Sequence, residues 1–161
     1  MFLFIKLIFF PALSFAFATQ LPIVVVESCS MYHESEFNTW WEHNALWYKD
    51  VDILREEFEK FPFRNGLNKG DIVFVSGRGD YEVGDIIIFS SSYTYPLIHR
   101  IISENPLETK GDHNFGQLAE ETEISKDAVL GKAVGRVPGA GWIKLVFFEA
   151  NKPRYSRGFC R

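Results

Sequence analysis

Lys69-Gly70-Asp71-Ile72-Val73-Phe74-Val75 is the stretch on which the fold turns. A Gly-Asp pair marks a turn, because glycine frees the backbone and the aspartate oxygens accept from nearby amides. The β-branched and aromatic run behind it suits a pleated, buried strand. A second Gly-Asp pair, Gly84-Asp85, enters Ile86-Ile87-Ile88-Phe89 in the same way. Working outward, residues 72–76, 86–90, 97–102, 129–137 and 142–148 are predicted as short strands separated by Gly, Asp, Asn and Pro turns. The pattern predicts a mainly β domain over residues 27–150.

Upstream the period changes. Phe37, Trp40, Trp41 and Ala45 fall at helical spacing, and so do Ile53, Leu54, Phe58 and Phe61. Residues 34–61 are therefore predicted to be a helical insertion, with Asp50 or Asp52 as a cap for its second helix and Pro62 as its stop. The density of Trp40, Trp41, Trp47 and Tyr48 fits either a packed aromatic core or a belt resting on lipid headgroups.

The first 26 residues are apolar except for Lys6, Thr19 and Gln20 among a few small polar groups. About 25 helical residues reach roughly 37 Å, against a hydrocarbon thickness of about 30 Å. Lys6 lies near one end, Pro11 and Pro22 kink or end the helix, and Glu27, Glu34, Glu36 and Glu42 follow outside. Read alone, the segment fits an anchor or a cleaved secretory signal, since Ala16-Phe17-Ala18 has a small-x-small form. The charge distribution favours an orientation with the domain on the far side of the membrane from Lys6.

The net charge of −4 provides no basic field for nucleic acid. Cys29 and Cys160 show no metal or redox spacing, and their pairing stays open. Residues 151–161, with Lys152, Arg154, Arg157 and Arg161, read as a solvated basic tail able to touch anionic lipid.

The chemistry begins at Val24-Val25-Val26-Glu27-Ser28-Cys29-Ser30-Met31, where a hydroxyl follows directly on the apolar run. A nucleophile there suits a substrate that is itself threaded through a bilayer. Serine needs a base. His33, His43, His99 and His113 are all available, and histidine ordinarily titrates at about 6.5, which suits that work near neutral pH. Spacing alone does not choose among them. His33 is the rival by proximity to Ser30.

Taken in order, the S-C-S-M of 28–31, K-G-D-I-V-F-V of 69–75, V-G-D-I-I-I-F of 83–89, I-H-R-I-I of 98–102, K-G-D-H-N of 110–114 and G-K-A-V-G-R of 131–136 resemble the type I signal peptidases. A histidine where the bacterial branch has lysine makes the resemblance one to the archaeal and endoplasmic-reticulum branch. It implies a signal-peptidase-like β-fold behind one N-terminal transmembrane anchor over residues 1–26, kept rather than cleaved. It implies Ser30 as nucleophile and His99 as general base, with the Ser30 amide and the Ser28 hydroxyl as oxyanion donors. Met31, Leu97 and Ile98 would contact an extended substrate added as a strand. Asp112 is the first choice for the acid that orients His99. The family's later aspartate is replaced by Leu118, so Glu121 and then Glu120 stand behind Asp112 as alternatives. Lys69 and Lys110 precede Gly-Asp pairs and do not occupy the base position.

The resemblance implies a membrane-anchored, single-pass serine endopeptidase on the extracytoplasmic side. Its substrates would be preprotein signal peptides cut after small residues, and it would contact membrane lipid but no nucleic acid. No metal or organic cofactor is implied, and accessory subunits are left open. The alternative from another class is a catalytically silent, membrane-anchored binding module on the same fold.

Overall fold

The computed structural model describes residues 2–150, 152–153 and 157–160. Arg154 and Arg161 of the expected basic tail lie outside the described residues. Among the described residues six strands form one antiparallel sheet in the order β1-β2-β6-β3-β4-β5. They are β1 (Ile23–Val25), β2 (Ile72–Ser76), β3 (Ile86–Phe89), β4 (Leu97–Glu104), β5 (Leu107–Lys110) and β6 (Val129–Val137). Around the sheet lie the helices α1 (Phe2–Phe4), α2 (Phe10–Phe17), α3 (Phe37–Asp50), α4 (Arg55–Phe58) and α5 (Trp142–Glu149). The fold is thus mixed rather than mainly β.

Both Gly-Asp pairs do what their composition predicts. Asp71 accepts from the Asn68 and Gly139 amides, and Asp85 accepts from the Glu82 amide and from Lys132 Nζ. The strands they enter are buried, with Val73, Val75 and Ile86 to Phe89 fully so. Register shifts at Phe74/Val75, Ile88/Phe89 and Ile101/Ser103 bend the sheet.

Residues 142–148, expected as a strand, form α5. A short apolar run does not reveal its period, and here packing decides. The Gly141 amide donates to Gly70 O at 2.7 Å, and any side chain at 141 would strike Gly70 O and Val25. That contact starts a helix that buries Leu145 and leaves Ile143, Val146 and Phe147 outside.

The expected 25-residue helix is not formed either. The chain is α-helical over α1, π-helical over Ile5–Phe9, and α-helical again through α2 to Phe17. The wide turn lies immediately before Pro11, whose ring would crowd the carbonyl one turn back. Ala18 then turns left-handed (φ 51°), Thr19 Oγ1 donates to Leu130 O at 2.6 Å, and Ile23–Val25 pair with β2. The α2 carbonyls are taken up by the β2 end. Gly77 N bonds Phe17 O at 2.9 Å, and Arg78 reaches Ala16 O and Phe15 O. A cation at a helix C-terminus is favourable there. Among the described residues no helix is long and apolar enough to cross a membrane.

The insertion folds close to expectation. Phe37, Trp40, Trp41, Ala45 and Tyr48 line the buried face of α3 and pack on Ile53, Phe58, Phe61 and Ile102. The three rings Trp40, Trp41 and Tyr48 are therefore core rather than an interfacial belt. The second helix is only α4, and Leu54 rather than an aspartate precedes it. Asp52 is instead left-handed (φ 62°) and donates its amide to Lys49 O, closing α3 from its C-terminal side.

Candidate active site

The turn after β1 is pinned at both ends. Val26 and Met31 are buried in the sheet core, at 2% and 1% exposure. Ser30 O accepts from the His113 amide at 2.8 Å, and Met31 O accepts from the Leu67 amide at 2.8 Å. Between these anchors the Ser28 and Ser30 hydroxyls meet at 3.1 Å.

His99 arrives from β4, where it lies opposite Ile87. The link between the two halves is Gly111, just after β5. A Cβ there would lie 2.8 Å from Ser30 O and 2.9 Å from His99 Nε2. Only a residue without a side chain lets the serine backbone and the imidazole converge on that point. The Ser30 main chain and the Nε2 edge of His99 thus share one small space, although 69 positions apart.

The carboxylate behind His99 is Glu121, not Asp112. Glu121 Oε1 sits 2.5 Å from His99 Nδ1, and both side chains are almost fully buried. The contact is a close ion-pair approach between the carboxylate and the imidazole. Glu121 is itself held by the Leu118 amide at 2.6 Å and by the Thr109 hydroxyl at 3.3 Å. Glu120 turns away and accepts from Ser92 Oγ at 2.7 Å.

Asp112 has a different employment, which corrects its expected contact with His99. Arg100 grips it through Nε and Nη2, the latter at 2.7 Å, and Tyr48 Oη and His33 Nε2 each donate to it at 3.0 Å. Burial by itself would push its carboxyl pKa up. The Arg100 charge and the His33 and Arg100 hydrogen bonds outweigh that and hold it well below the usual carboxylate range. Arg100 also donates to Pro62 O, Gly84 O and Phe63 O. The pair therefore staples the insertion to the sheet directly beneath the site. The Tyr48 phenol is pushed well up, first by burial and then by the Asp112 charge.

The other sequence candidates are placed as follows. His33 is stacked flat on Trp40, with centroids 3.7 Å apart, and is committed to Asp112. His43 is exposed on α3. His113 lies near Glu34 at 3.5 Å and serves the turn through its backbone. Lys69 pairs with Glu149 at 2.9 Å. Lys110 is buried under Trp47 and Tyr48 and donates to Gly111 O, and burial lowers its pKa to about 8.

A groove of about 800 Å³ opens over this centre. One wall is 23–26, the edge strand and its continuation, and the other is 93–98, ahead of His99. Met31, Leu97 and Ile98 all line it, as do Ser28 and Ser30. Tyr93 and Tyr95 at its rim had no signal in the sequence beyond a Ser/Tyr-rich turn. The Cys29–Cys160 pairing, left open above, is made, with Cα atoms 5.6 Å apart.

The Ser28 and Ser30 hydroxyls and the buried His99 imidazole, with Glu121 behind it, thus border one groove beside the β1 edge of an antiparallel sheet. No family model matches the chain. Curated relatives do. The chain is 30% identical over 101 residues to the signal peptidase complex catalytic subunit SEC11 of Leptosphaeria maculans, covering 52% of this chain and 57% of that protein. It is 27% identical over 95 residues to the signal peptidase complex catalytic subunit sec11 of Dictyostelium discoideum, covering 50% and 53%. The chain spans about half the length of the curated relatives it matches. The resemblance drawn from its motifs is to this same group.

Proposed function

We propose that this protein is a serine endopeptidase that removes signal peptides from exported preproteins, acting at a membrane as a catalytic subunit of a signal peptidase complex. The observation that carries this reading is that Ser30 and His99 line one groove beside the β1 edge and approach each other at Gly111. The likeness to the SEC11 subunits supports the substrate class.

In this mechanism the preprotein lies extended in the groove and bonds to the edge at 23–26 as an added strand. Alternate side chains then face the same way, so shallow subsites near Met31, Leu97 and Ile98 select small residues. His99 Nε2 takes the proton of Ser30 Oγ as the oxygen attacks the scissile carbonyl. Glu121 holds the proton on Nδ1, which leaves Nε2 basic. The Ser30 amide and the Ser28 hydroxyl receive the oxyanion, and one such donor is worth about 3 kcal/mol. The protonated His99 then passes its proton to the leaving amine. Water, deprotonated by the same ring, releases the acyl group from Ser30.

The apolar exterior of the helical run Phe2–Phe17, with Leu3, Phe4, Leu7, Ile8 and Phe15 exposed, supports a single membrane anchor at the N-terminal side. Its docking by Arg78 and Gly77 would hold the groove at the bilayer surface on the extracytoplasmic side.

Cleavage of a reference preprotein by full-length protein in detergent tests the proposal. Wild type is expected to cut, and Ser30→Ala and His99→Ala are each expected to lose activity by at least about 10³-fold while staying folded. Full activity in His99→Ala with loss in His33→Ala would overturn the base assignment.

A further inference from the structure

Cys29 stands between the two serines of the nucleophile turn, and its sulfur is joined to Cys160, 131 positions away. The turn has firm backbone anchors on either side. Val26 bonds Asp71 O and Gly70 N, and Ser30 O and Met31 O bond the His113 and Leu67 amides. Between them, among the described residues, no backbone carbonyl accepts from the amides of Ser28, Cys29 or Ser30. What reaches residues 27–29 from outside is the C-terminal segment. Lys144 Nζ meets Glu27 Oε1 at 3.0 Å, Lys152 Nζ meets Glu27 O at 3.1 Å, and the disulfide holds Cys29.

The far half of that link is itself seated. The Phe159 ring packs on Trp142 with centroids 4.6 Å apart. The Gly158 amide donates to Glu149 Oε2 at 2.7 Å, and the same oxygen accepts from the buried Lys69. Cys160 is thus fastened to α5 and to the turn that opens β2. The lysine contacts at Glu27 are partly solvated and weak by comparison.

We propose that the Cys29–Cys160 disulfide is a positioning cross-link for the nucleophile, and that a dithiol reductant reversibly turns the enzyme down by cutting it. The catalytic half of this inference rests on the function proposed above. The covalent tie fixes the Cys29 main chain, so the Ser28 hydroxyl and the Ser30 amide on its two sides aim at one point. Reduction breaks the S–S bond. Two electrons and two protons pass from the dithiol to the two sulfurs, which become thiols, and the dithiol closes to its own cyclic disulfide. Both cysteines are half-buried, and Cys160 borders a surface cavity of about 400 Å³ with Tyr32, Trp142 and Phe159, so a small reductant has access. The groove walls are held by the sheet, residues 23–25 by β2 and Leu97 and Ile98 by β3. Loosening the turn therefore acts on the chemical step more than on substrate binding.

The test uses oxidised full-length protein in detergent, with dithiothreitol as the reductant, and Cys160→Ala, which leaves the serine turn's own sequence intact. Three quantities are read: kcat and KM for preprotein cleavage, the thermal midpoint, and amide exchange at Tyr32 and His113, which donate to Cys29 O and Ser30 O. Dithiothreitol is expected to lower wild-type kcat by about 10- to 100-fold, the scale of a misplacement near 1 Å. KM should stay within about threefold, and re-oxidation should restore the rate. Cys160→Ala should show the low kcat from the start and ignore dithiothreitol, with faster exchange at Tyr32 and His113 but not in β2 or β6. A Cys160→Ala protein with a lower midpoint but wild-type kcat and exchange overturns the proposal, because the bond is then only a staple. If oxidised wild type cleaves no preprotein, the functional reading has failed and the catalytic claim falls with it. The exchange arm still decides the rest: acceleration confined to the turn supports positioning, and unchanged exchange overturns it.

Discussion

Glu121 Oε1 stands 2.5 Å from His99 Nδ1, and the glutamate is fully buried where it does so. The short helical turn Ala119–Glu121 brings it there. Asp112, in the more recognisable motif, is meanwhile saturated by Arg100, Tyr48 and His33.

The two acids should therefore fail differently. Glu121→Gln is expected to lower kcat by about 10²- to 10⁴-fold with KM nearly unchanged and the thermal midpoint little moved, since it spoils the tautomer and orientation of His99. Asp112→Asn strips the charge from a buried, fully bonded pair and should cost about 3 kcal/mol of stability. Steady-state kinetics together with urea unfolding separate the two. A stable but inactive Asp112→Asn beside a nearly normal Glu121→Gln would reverse the assignment.

Gly111 offers a steric test of the convergence. A methyl there would meet His99 Nε2 at 2.9 Å and Ser30 O at 2.8 Å. Gly111→Ala is expected to reduce kcat by at least about 100-fold while the far-ultraviolet circular dichroism stays native. Near-normal cleavage would mean that the imidazole and the serine do not meet across this glycine.

Stability should depend on pH through two buried groups. Asp112 is held below its unfolded value, so the unfolded chain takes up its proton first as pH falls. The stabilisation is complete above about pH 4, the unfolded value, and is lost progressively below it. Lys110, lowered to about 8 by burial, shifts in the same direction but acts in the alkaline range. Between about pH 8 and the unfolded value near 10.5 the unfolded chain binds more protons, so stability rises with pH, by on the order of 3 kcal/mol at full effect. Urea unfolding across pH 3–10 should show an acid limb that flattens in Asp112→Asn and an alkaline rise that vanishes in Lys110→Met.

The seat of the N-terminal helix can be probed at Gly77. A Cβ there would lie 2.1 Å from Ala18 O. Gly77→Ala is expected to break the bonds from the β2 end to α2 and expose residues 18–22 to limited proteolysis, at a cost of about 1–3 kcal/mol. Unchanged protection would show that Thr19 and β1 alone hold the junction.

Local sequence determined much of this protein. The Gly-Asp turns, the β-branched runs of β2, β3, β4 and β6, and the buried face of α3 could be read directly, because each follows from neighbours a few residues apart. The ordered motifs also singled out Ser30 and His99, and Met31, Leu97 and Ile98 do line the groove. Tertiary structure decided the rest, because those choices depend on partners distant in the chain. Trp142-Ile143-Lys144-Leu145 became helix when Gly141 met Gly70. The N-terminal apolar run was divided when Arg78 took the α2 carbonyls and β2 took Ile23–Val25. Arg100, Tyr48 and His33 take up Asp112, and it is Glu121 that lies beside the His99 imidazole. An acid's role depends on which cation and donors surround it, and that neighbourhood exists only after the sheet has closed.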